Sequence, residues 1–226
     1  MEPYYYQTLS KAEQSSYQAM QAGLQAFAPS FPVPLLENRA LTDVFMKLRL
    51  DCPQLFYAGT FQYRYYPDSR NAELIPAYLF EKGKLKEHQK ALQSRVEKLV
   101  RPVARCSDEE KLLYIHDFIC KNVRYDKLKK QYSHEIIGVL GHGVGVCEGI
   151  AKAVKILCDA LQIQCIIALA ENNPEKGVKY RHAWNVVRLD KKYYHLDCTF
   201  DLSLGNPEEI RYDYFLLSDK QIFRDH

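Results

Sequence analysis

Residues 141–161 read GHGVGVCEGIAKAVKILCDAL and place Cys147 among glycines at the point where a helical pattern begins. After the cysteine, apolar residues recur at i, i+4, i+7 and i+11: Ile150, Val154, Leu157 and Leu161. This spacing predicts a helix whose first turn holds Cys147. Because the N–H groups of a first turn are unsatisfied and the helix dipole is positive there, such a position favours the thiolate, which is the nucleophilic form of cysteine.

The glycines around Cys147 can be interpreted as part of a catalytic site, as a structural turn or as a dinucleotide-binding loop. Glycine lets the backbone approach a bound carbonyl closely and leaves the Cys147 N–H to point at a developing oxyanion. Taken alone, however, the stretch fits a buried cysteine in a glycine-rich turn better. A dinucleotide-binding loop is rejected because the third glycine falls at 149 rather than 148, and Glu148 would stand where the pyrophosphate sits.

Two β-rich runs further along the chain offer a base and an acid. RHAWNVVRL (181–189) and KYYHLDCTF (192–200) flank a charged turn at 190–191. If those two residues form the hairpin loop, Trp184 faces Asp197 across the strands. His182 and Asp197 would then share one face of the sheet, a diagonal step apart. A buried strand at 164–170 is expected between the helix and this hairpin.

Cys147, His182 and Asp197 together predict a nucleophile, a general base and acid, and a group that orients the base. A strand histidine is more often an ordinary polar residue, and Asp197 could simply end a strand, but the three in this order and context favour catalysis. Trp184 and His195 are expected beside the pair, although a core role for Trp184 and a solvent-facing role for His195 fit as well. We expect Glu148 to point away from the sulfur.

Composition excludes several classes of protein. The 226 residues are 47% hydrophobic and 26% charged, and 31 basic and 28 acidic residues leave a net charge of +3, too mild to imply nucleic acid. The seven cysteines form no C-x-x-C pair, so neither a zinc knuckle nor a redox motif is expected, and no metal or cofactor is predicted. With neither a signal peptide nor an apolar run of membrane length, we expect a cytoplasmic protein without membrane contact, or an extracellular one if a leader was removed.

The chain is expected to divide near Pro102. Residues 1–102 predict a mainly helical accessory region: Ser10 and Glu13 form a capping box, and the stretches 59–66 and 74–80 could pair as a small hairpin. Residues 103–226 are expected to form the core that carries Cys147. A second capping box at Ser107 and Glu110 predicts that it begins with a helix from about Asp108 to about Val123, in which His116 has a structural role.

The motifs GVGVCEGIAKAVKIL (143–157), RHAWNVV (181–187) and YYHLDCTFD (193–201) resemble the transglutaminase-like superfamily. IHDFICKNVRYD (115–126) and YDYFLLSD (212–219) resemble its bacterial members, so the resemblance covers roughly 107–219. It implies an α+β fold with a papain-like or transglutaminase-like core, in which a central helix packs on an antiparallel sheet. Lys191 departs from the family, since bacterial relatives often have glycine in this turn.

The resemblance assigns Cys147 as nucleophile, His182 as general base and acid, and Asp197 as orienter. It implies acyl transfer through a thioester, most consistent with hydrolysis of a peptide or amide bond in a protein or peptide substrate. The alternatives are a protein-glutamine transglutaminase that forms isopeptide bonds and a non-catalytic binding or scaffolding module. The side chain that completes the oxyanion hole stays open between His142 and Tyr132, and the oligomeric state is not predicted.

Overall fold

The computed structural model of this protein describes residues 3–170, 181–206, 208–224 and 226, and its chain forms two compact units. The first unit ends at Gln89 and the second begins at Lys90. This division lies inside a long helix, whereas the sequence placed it near Pro102. A proline that ends a helix marks the end of that element, but compact units are defined by tertiary contacts.

The N-terminal unit combines three helices with a three-stranded sheet. Its elements in chain order are α1 (Tyr4–Gln7), α2 (Lys11–Gln25), β1 (Phe31–Pro34), α3 (Asn38–Asp51), β2 (Ala58–Tyr65) and β3 (Asn71–Tyr78), followed by the start of α4 (Lys82–Val100). The Ser10–Glu13 capping box opens α2 as predicted. The predicted hairpin is present as β2 and β3, and β1 adds a third antiparallel strand.

Pro76 is tolerated inside β3 because of where β1 ends. The strand order is β1-β3-β2, so β3 is the central strand. The register of β1 on β3 runs only from Asn71 to Leu74, so at Pro76 the strand is paired with β2 alone. A proline removes a donor from the sheet, and it is accepted where one side of the strand has no partner.

The C-terminal unit is the predicted α+β core. Its elements after α4 are α5 (Asp108–Asn122), β4 (Arg124–Tyr125), β5 (Val144–Gly145), α6 (Cys147–Ala160), β6 (Cys165–Ala170), β7 (His182–Leu189), β8 (Lys192–Leu196), α7 (Cys198–Leu204) and α8 (Asp219–Ile222). Strands β6, β7 and β8 form an antiparallel sheet in that order, and β4 pairs with β5 in parallel. No helix among the described residues combines the length and apolar character that a bilayer span requires.

Helix α6 is buried between the sheet and α5. Its predicted inward residues Ile150, Val154 and Leu157 are at most 1% exposed. The amide of Asn185 on β7 donates to the carbonyl of Ala151 at 3.0 Å. This bond ties the strand that begins at His182 to the first turns of the helix that begins at Cys147, so the two elements are held in a defined relation.

Candidate active site

Cys147 is the first residue of α6, as the sequence predicted. Val146 before it has an extended conformation, and its side chain does not cap the helix. The backbone N–H groups of this first turn therefore lie at an uncapped positive helix end. Five of the seven thiols are buried, and only Cys147 and Cys106 are partly exposed. Cys147 is therefore a partly exposed thiol at the positive end of a helix.

The glycines near Cys147 are required by internal packing. A Cβ atom on Gly149 would lie 2.2 Å from the Ser133 carbonyl oxygen, and one on Gly145 would lie 2.6 Å from the Val139 side chain. The same Ser133 carbonyl accepts a hydrogen bond from the Val146 N–H at 3.0 Å. Gly149 thus lets the segment around Ser133 pack directly against the start of α6, and Gly145 leaves room for the Val139 side chain. Neither purpose was predicted.

The hairpin has the predicted register over its whole paired length. Leu189 faces Lys192, and Asn185 faces Leu196. Asp190 and Lys191 both have positive φ, 49° and 65°, as in a type I′ turn. The turn therefore keeps its geometry with lysine in place of the glycine of bacterial relatives, at the cost of placing two non-glycine residues in the left-handed region.

The second strand of the hairpin ends earlier than predicted. β8 stops at Leu196, and Asp197 is the N-cap of α7, so the expected cross-strand pair of Trp184 and Asp197 does not form. One carboxylate oxygen, Oδ1, accepts the backbone N–H groups of Thr199 at 2.8 Å and Phe200 at 3.1 Å. Aspartate satisfies free N–H groups at a helix start better than it serves inside a strand, which explains the change.

His182 and Asp197 nevertheless meet. The His182 Nε2 atom lies 2.5 Å from the second carboxylate oxygen, Oδ2, and the Asp197 side chain is fully buried. Because the N-cap hydrogen bonds use Oδ1, Oδ2 is available to accept a hydrogen bond from the imidazole. Burial acts to lower the pKa of His182, but hydrogen bonds and charge interactions with Asp197 and Cys147 outweigh it and raise that pKa from 6.5 to about 9. Since Nε2 contacts Asp197, Nδ1 is the nitrogen left for the thiol.

The same carboxylate oxygen accepts a second imidazole. The His226 Nε2 atom lies 2.8 Å from Asp197 Oδ2, and the His226 side chain is 1% exposed. Sequence analysis did not single out His226, because no motif or periodicity surrounds it. Despite burial, which acts to raise it, the pKa of the Asp197 carboxyl is held below its ordinary value by its bonds to the two histidines.

Aromatic rings enclose the histidine pair. The His182 ring stacks on Phe200 with centroids 4.7 Å apart and an interplanar angle of 18°, and it lies parallel to Trp184 at 5.8 Å. The Trp184 Nε1–H donates to Nδ1 of the buried His195 at 2.9 Å, and His195 Nε2 lies 2.9 Å from Asp219. Trp184 thus contacts His182 directly, whereas His195 accepts a hydrogen bond from Trp184 and so is linked to the site through it.

The charge of Glu148, next to the nucleophile, is neutralised by a buried cation. Lys152 is fully buried, and its ammonium group contacts Glu148 at 2.7 Å and both carboxylate oxygens of Glu135 at 3.0 Å. The other Glu148 oxygen lies 3.4 Å from His134. The Glu148 carboxylate is therefore engaged by Lys152, one helical turn along α6.

A tyrosine that the sequence analysis passed over interacts with Cys147. Burial and the neighbouring charges of Cys147 and Asp126 raise the pKa of Tyr125. Tyr125 is 37% exposed and lies on β4, paired in register with Gly145, two residues before the cysteine. Tyr132 and His142, which the sequence analysis considered as side chains that could complete the oxyanion hole, pack against one another with ring centroids 5.1 Å apart.

His116 belongs to a separate, structural cluster. It is fully buried, and its Nε2 atom lies 3.0 Å from Asp201 and 3.7 Å from the sulfur of Cys120. Burial, followed by nearby carboxylates, raises the pKa of the Cys120 thiol to about 12, so it stays neutral. Asp201 accepts the Tyr214 N–H, and the Tyr214 carbonyl accepts the N–H of Asp197. The cluster is therefore linked to the backbone of Asp197 through Tyr214.

Among the described residues, one group has metal-ligand chemistry at close range: His182, Asp197 and His226, whose donor atoms lie within 4.8 Å of one another. Ligands around tetrahedral zinc, at 2.0–2.1 Å from the ion, are separated by about 3.3 Å. The nitrogen–oxygen distances here are 2.5 and 2.8 Å, which are hydrogen-bond lengths. The group is arranged to share protons and would have to open to admit an ion.

The fold is that of a papain-like α+β core, in which the helix that begins at the cysteine packs on an antiparallel sheet that carries the histidine. Residues 96–198 match the family model of the transglutaminase-like superfamily. The match covers less than half of the chain, and it confirms the resemblance drawn from the sequence motifs within this segment.

Solved structures to which this chain is similar include a TGase and a protein from Cytophaga hutchinsonii proposed to be a cysteine protease. The TGase is 13% identical, with a TM-score of 0.40, and the similarity covers 63% of this chain and 44% of that one. The Cytophaga hutchinsonii protein is 14% identical, with a TM-score of 0.39, and the similarity covers 62% of this chain and 61% of that one. The chain thus matches less than two thirds of either structure. No curated protein sequence matches it.

Proposed function

We propose that this protein is a cysteine-dependent acyl-transfer enzyme that hydrolyses a peptide or amide bond in a protein or peptide substrate. The observation that carries the proposal is the 2.5 Å contact of His182 with the buried Asp197, together with the interaction of His182 with Cys147 at the start of α6. It unites a thiol at a helix terminus, an imidazole and a buried carboxylate, which are the parts that thiol catalysis needs.

The raised pKa of His182 supports activation of the nucleophile before substrate arrives. At neutral pH an imidazole with a pKa of about 9 is mainly protonated. In the proposed mechanism this imidazolium and the positive end of α6 stabilise the thiolate form of Cys147 when it attacks. Asp197, held ionised by its hydrogen bonds, keeps the imidazolium in place.

In the first half-reaction the Cys147 sulfur attacks the carbonyl carbon, and a C–S bond forms while the carbonyl oxygen becomes an oxyanion. The backbone N–H of Cys147 is one donor to this oxygen. The Tyr125 hydroxyl is our candidate for the second donor, because Tyr125 pairs with Gly145, two residues before Cys147, and an electrostatic interaction with Cys147 contributes to its raised pKa. His182 then gives its proton to the leaving amine as the C–N bond breaks, which leaves a thioester.

In the second half-reaction water attacks the thioester. His182, now neutral, takes a proton from the water, and the carboxylic acid leaves as the sulfur regains its place as thiolate beside the imidazolium. If a lysine amine attacks in place of water, the product is an isopeptide bond, as in a protein-glutamine transglutaminase. The match of residues 96–198 to the transglutaminase-like superfamily makes this the second candidate function. A binding module with an idle site is the third.

Reactivity of the thiols separates an enzyme from a binding module. Cys106 is the matched control, since it is the other partly exposed cysteine but lies outside the proposed triad. We expect an acyl-electrophile probe to label wild type and Cys106→Ala rapidly at pH 7 and Cys147→Ala far more slowly. Equal labelling of all three proteins, with no product from any amide substrate, would leave only the binding module.

Product analysis separates the two enzymatic candidates. Wild type and Cys147→Ala are incubated with a peptide library, with and without a primary amine, and the products are identified by mass spectrometry. Cleaved peptides without incorporated amine support hydrolysis. Amine incorporation that depends on Cys147 supports transfer.

A further inference from the structure

Asp197 is saturated with hydrogen-bond donors, and His226 supplies one of them. Its Oδ1 oxygen accepts two backbone N–H groups, and its Oδ2 oxygen accepts Nε2–H groups from both His182 and His226. A carboxylate has about four lone-pair sites, so none remains for water. Both histidines therefore donate to the same oxygen of one buried carboxylate.

The His226 ring is held in this position by its neighbours. It packs edge-on against Phe200 at 4.5 Å, Trp184 at 5.1 Å and His182 at 5.3 Å, measured between ring centroids. Tyr214 lies on a further side at 5.4 Å. Because the ring is enclosed and its Nε2 atom aims at Asp197, it has a single orientation that serves the carboxylate.

Within the function proposed above, we propose that His226 is a positioning residue, which fixes the rotation of the Asp197 carboxylate and moderates how strongly that carboxylate attracts the proton of His182. A donor on Oδ2 draws negative charge toward itself and reduces the potential that the carboxylate exerts at His182 Nε2. His182 can then release its proton to the leaving amine while it still stabilises the thiolate.

Whether the loss of the His226 donor raises or lowers the pKa of His182 also depends on the other titratable groups that face these residues. Cys147 favours the protonated form of His182, and its contribution stays the same whether or not position 226 carries a donor. The remaining titratable groups around the cluster are Tyr214, His195 behind Trp184, and Cys120, Cys198 and Asp201 beneath Asp197. The two thiols have raised pKa values and stay neutral, so they do not change the field at His182 near neutral pH.

The test compares His226→Phe, which keeps an enclosed ring but removes the donor, with His226→Gln, whose amide keeps a donor near the Nε2 position. The pKa of His182 is read from the pH dependence of its imidazole signals by NMR in the full chain, assigned with His182→Gln. We expect His226→Phe to raise that pKa by at least about half a unit, a threefold change in the protonation equilibrium, and His226→Gln to leave it near the wild-type value. His226→Asn, too short to reach Asp197, replaces the phenylalanine variant if that protein does not fold.

An unchanged or lowered His182 pKa in the donor-removing variant would overturn the proposal. An equal rise of the His182 pKa in His226→Phe and His226→Gln would also overturn the proposal. It would show that the histidine ring matters and the donor does not. This readout needs no substrate, so it stands apart from the proposed activity. A protein that hydrolyses nothing but shows the shift would retain the role of His226 and lose the enzyme function.

Discussion

The Nε2 atom of His182 lies 2.5 Å from Oδ2 of Asp197, although the two residues are not cross-strand neighbours. The contact arises because Asp197 caps α7 with one carboxylate oxygen and presents the other to the first residue of β7. The same side chain thus serves helix formation and the proposed chemistry, and substitutions at this position should affect both.

Replacing Asp197 with asparagine should reduce the reactivity of Cys147. The variant keeps an N-cap acceptor but removes the negative charge beside His182, so the pKa of His182 should fall from about 9 toward its ordinary value of 6.5. If the site is catalytic, the rate of amide turnover should fall by about 10²-fold or more. Alkylation of Cys147 against pH is the measurement, and a wild-type profile in the variant would contradict this account.

The His182–Asp197 pair predicts a loss of stability at alkaline pH. The pKa of His182 is higher in the folded protein than in the unfolded chain, so its stabilising contribution is complete below pH 6.5 and is lost as pH rises toward about 9. A shift of this size corresponds to about 3 kcal/mol. The lowered pKa of Asp197 acts in the opposite range, and its contribution is lost as pH falls below the ordinary value of 3.8.

Urea unfolding at several pH values between 6 and 9.5 measures the alkaline effect. The free energy of unfolding of wild type should decrease through this range, and Asp197→Asn should show a flatter dependence. A wild-type curve no steeper than that of the variant would show that the imidazolium is not stabilised as described.

Replacing Gly149 with alanine should distort the start of α6. The added Cβ would meet the Ser133 carbonyl oxygen at 2.2 Å, and backbone cannot move aside as a flexible side chain can. We expect a loss of about 1–3 kcal/mol or more in the free energy of unfolding, together with slower alkylation of Cys147.

Gly83→Ala is the matched control for that substitution. Gly83 lies in α4, and a Cβ there would meet nothing within 4 Å. Because alanine favours helix more than glycine does, this variant should be neutral or more stable by up to about 1 kcal/mol. Thermal unfolding of both variants tests the pair, and equal stability of the two would show that Gly149 is not sterically required.

Replacing Lys152 with methionine should be strongly destabilising. The ammonium group is fully buried and neutralises Glu135, which is itself buried, and Glu148. Removing one partner of a buried ion pair leaves an uncompensated charge and typically costs about 3–5 kcal/mol. Lys121→Met is the control, since Lys121 is half exposed and its contact with Asp117 is long, at 3.7 Å. A surface pair of this kind contributes at most about 1 kcal/mol, so similar losses in the two variants would argue against a special role for Lys152.

Local pattern was sufficient to predict most elements of the core. The apolar spacing after Cys147 predicted α6, the Ser107–Glu110 capping box predicted the start of α5, and the two-residue charged turn predicted the register of β7 on β8. These features depend on residues close together in the chain. Helical periodicity and the period of two in a strand are backbone properties, so a sequence displays them directly.

Tertiary structure alone decided the surroundings of the site. That Asp197 leaves the strand to cap a helix depends on the segment at 214–217, which pairs with His195 and accepts the N–H of Asp197. His226 and Tyr125 reach the site from positions 29 residues after Asp197 and 22 residues before Cys147 (226 − 197 and 147 − 125). No motif surrounds His226, and the motif at 115–126 that contains Tyr125 did not indicate a role for its side chain. Hydrogen bonds and burial between such distant segments form only when the whole core packs, and they leave no periodic signal in the sequence.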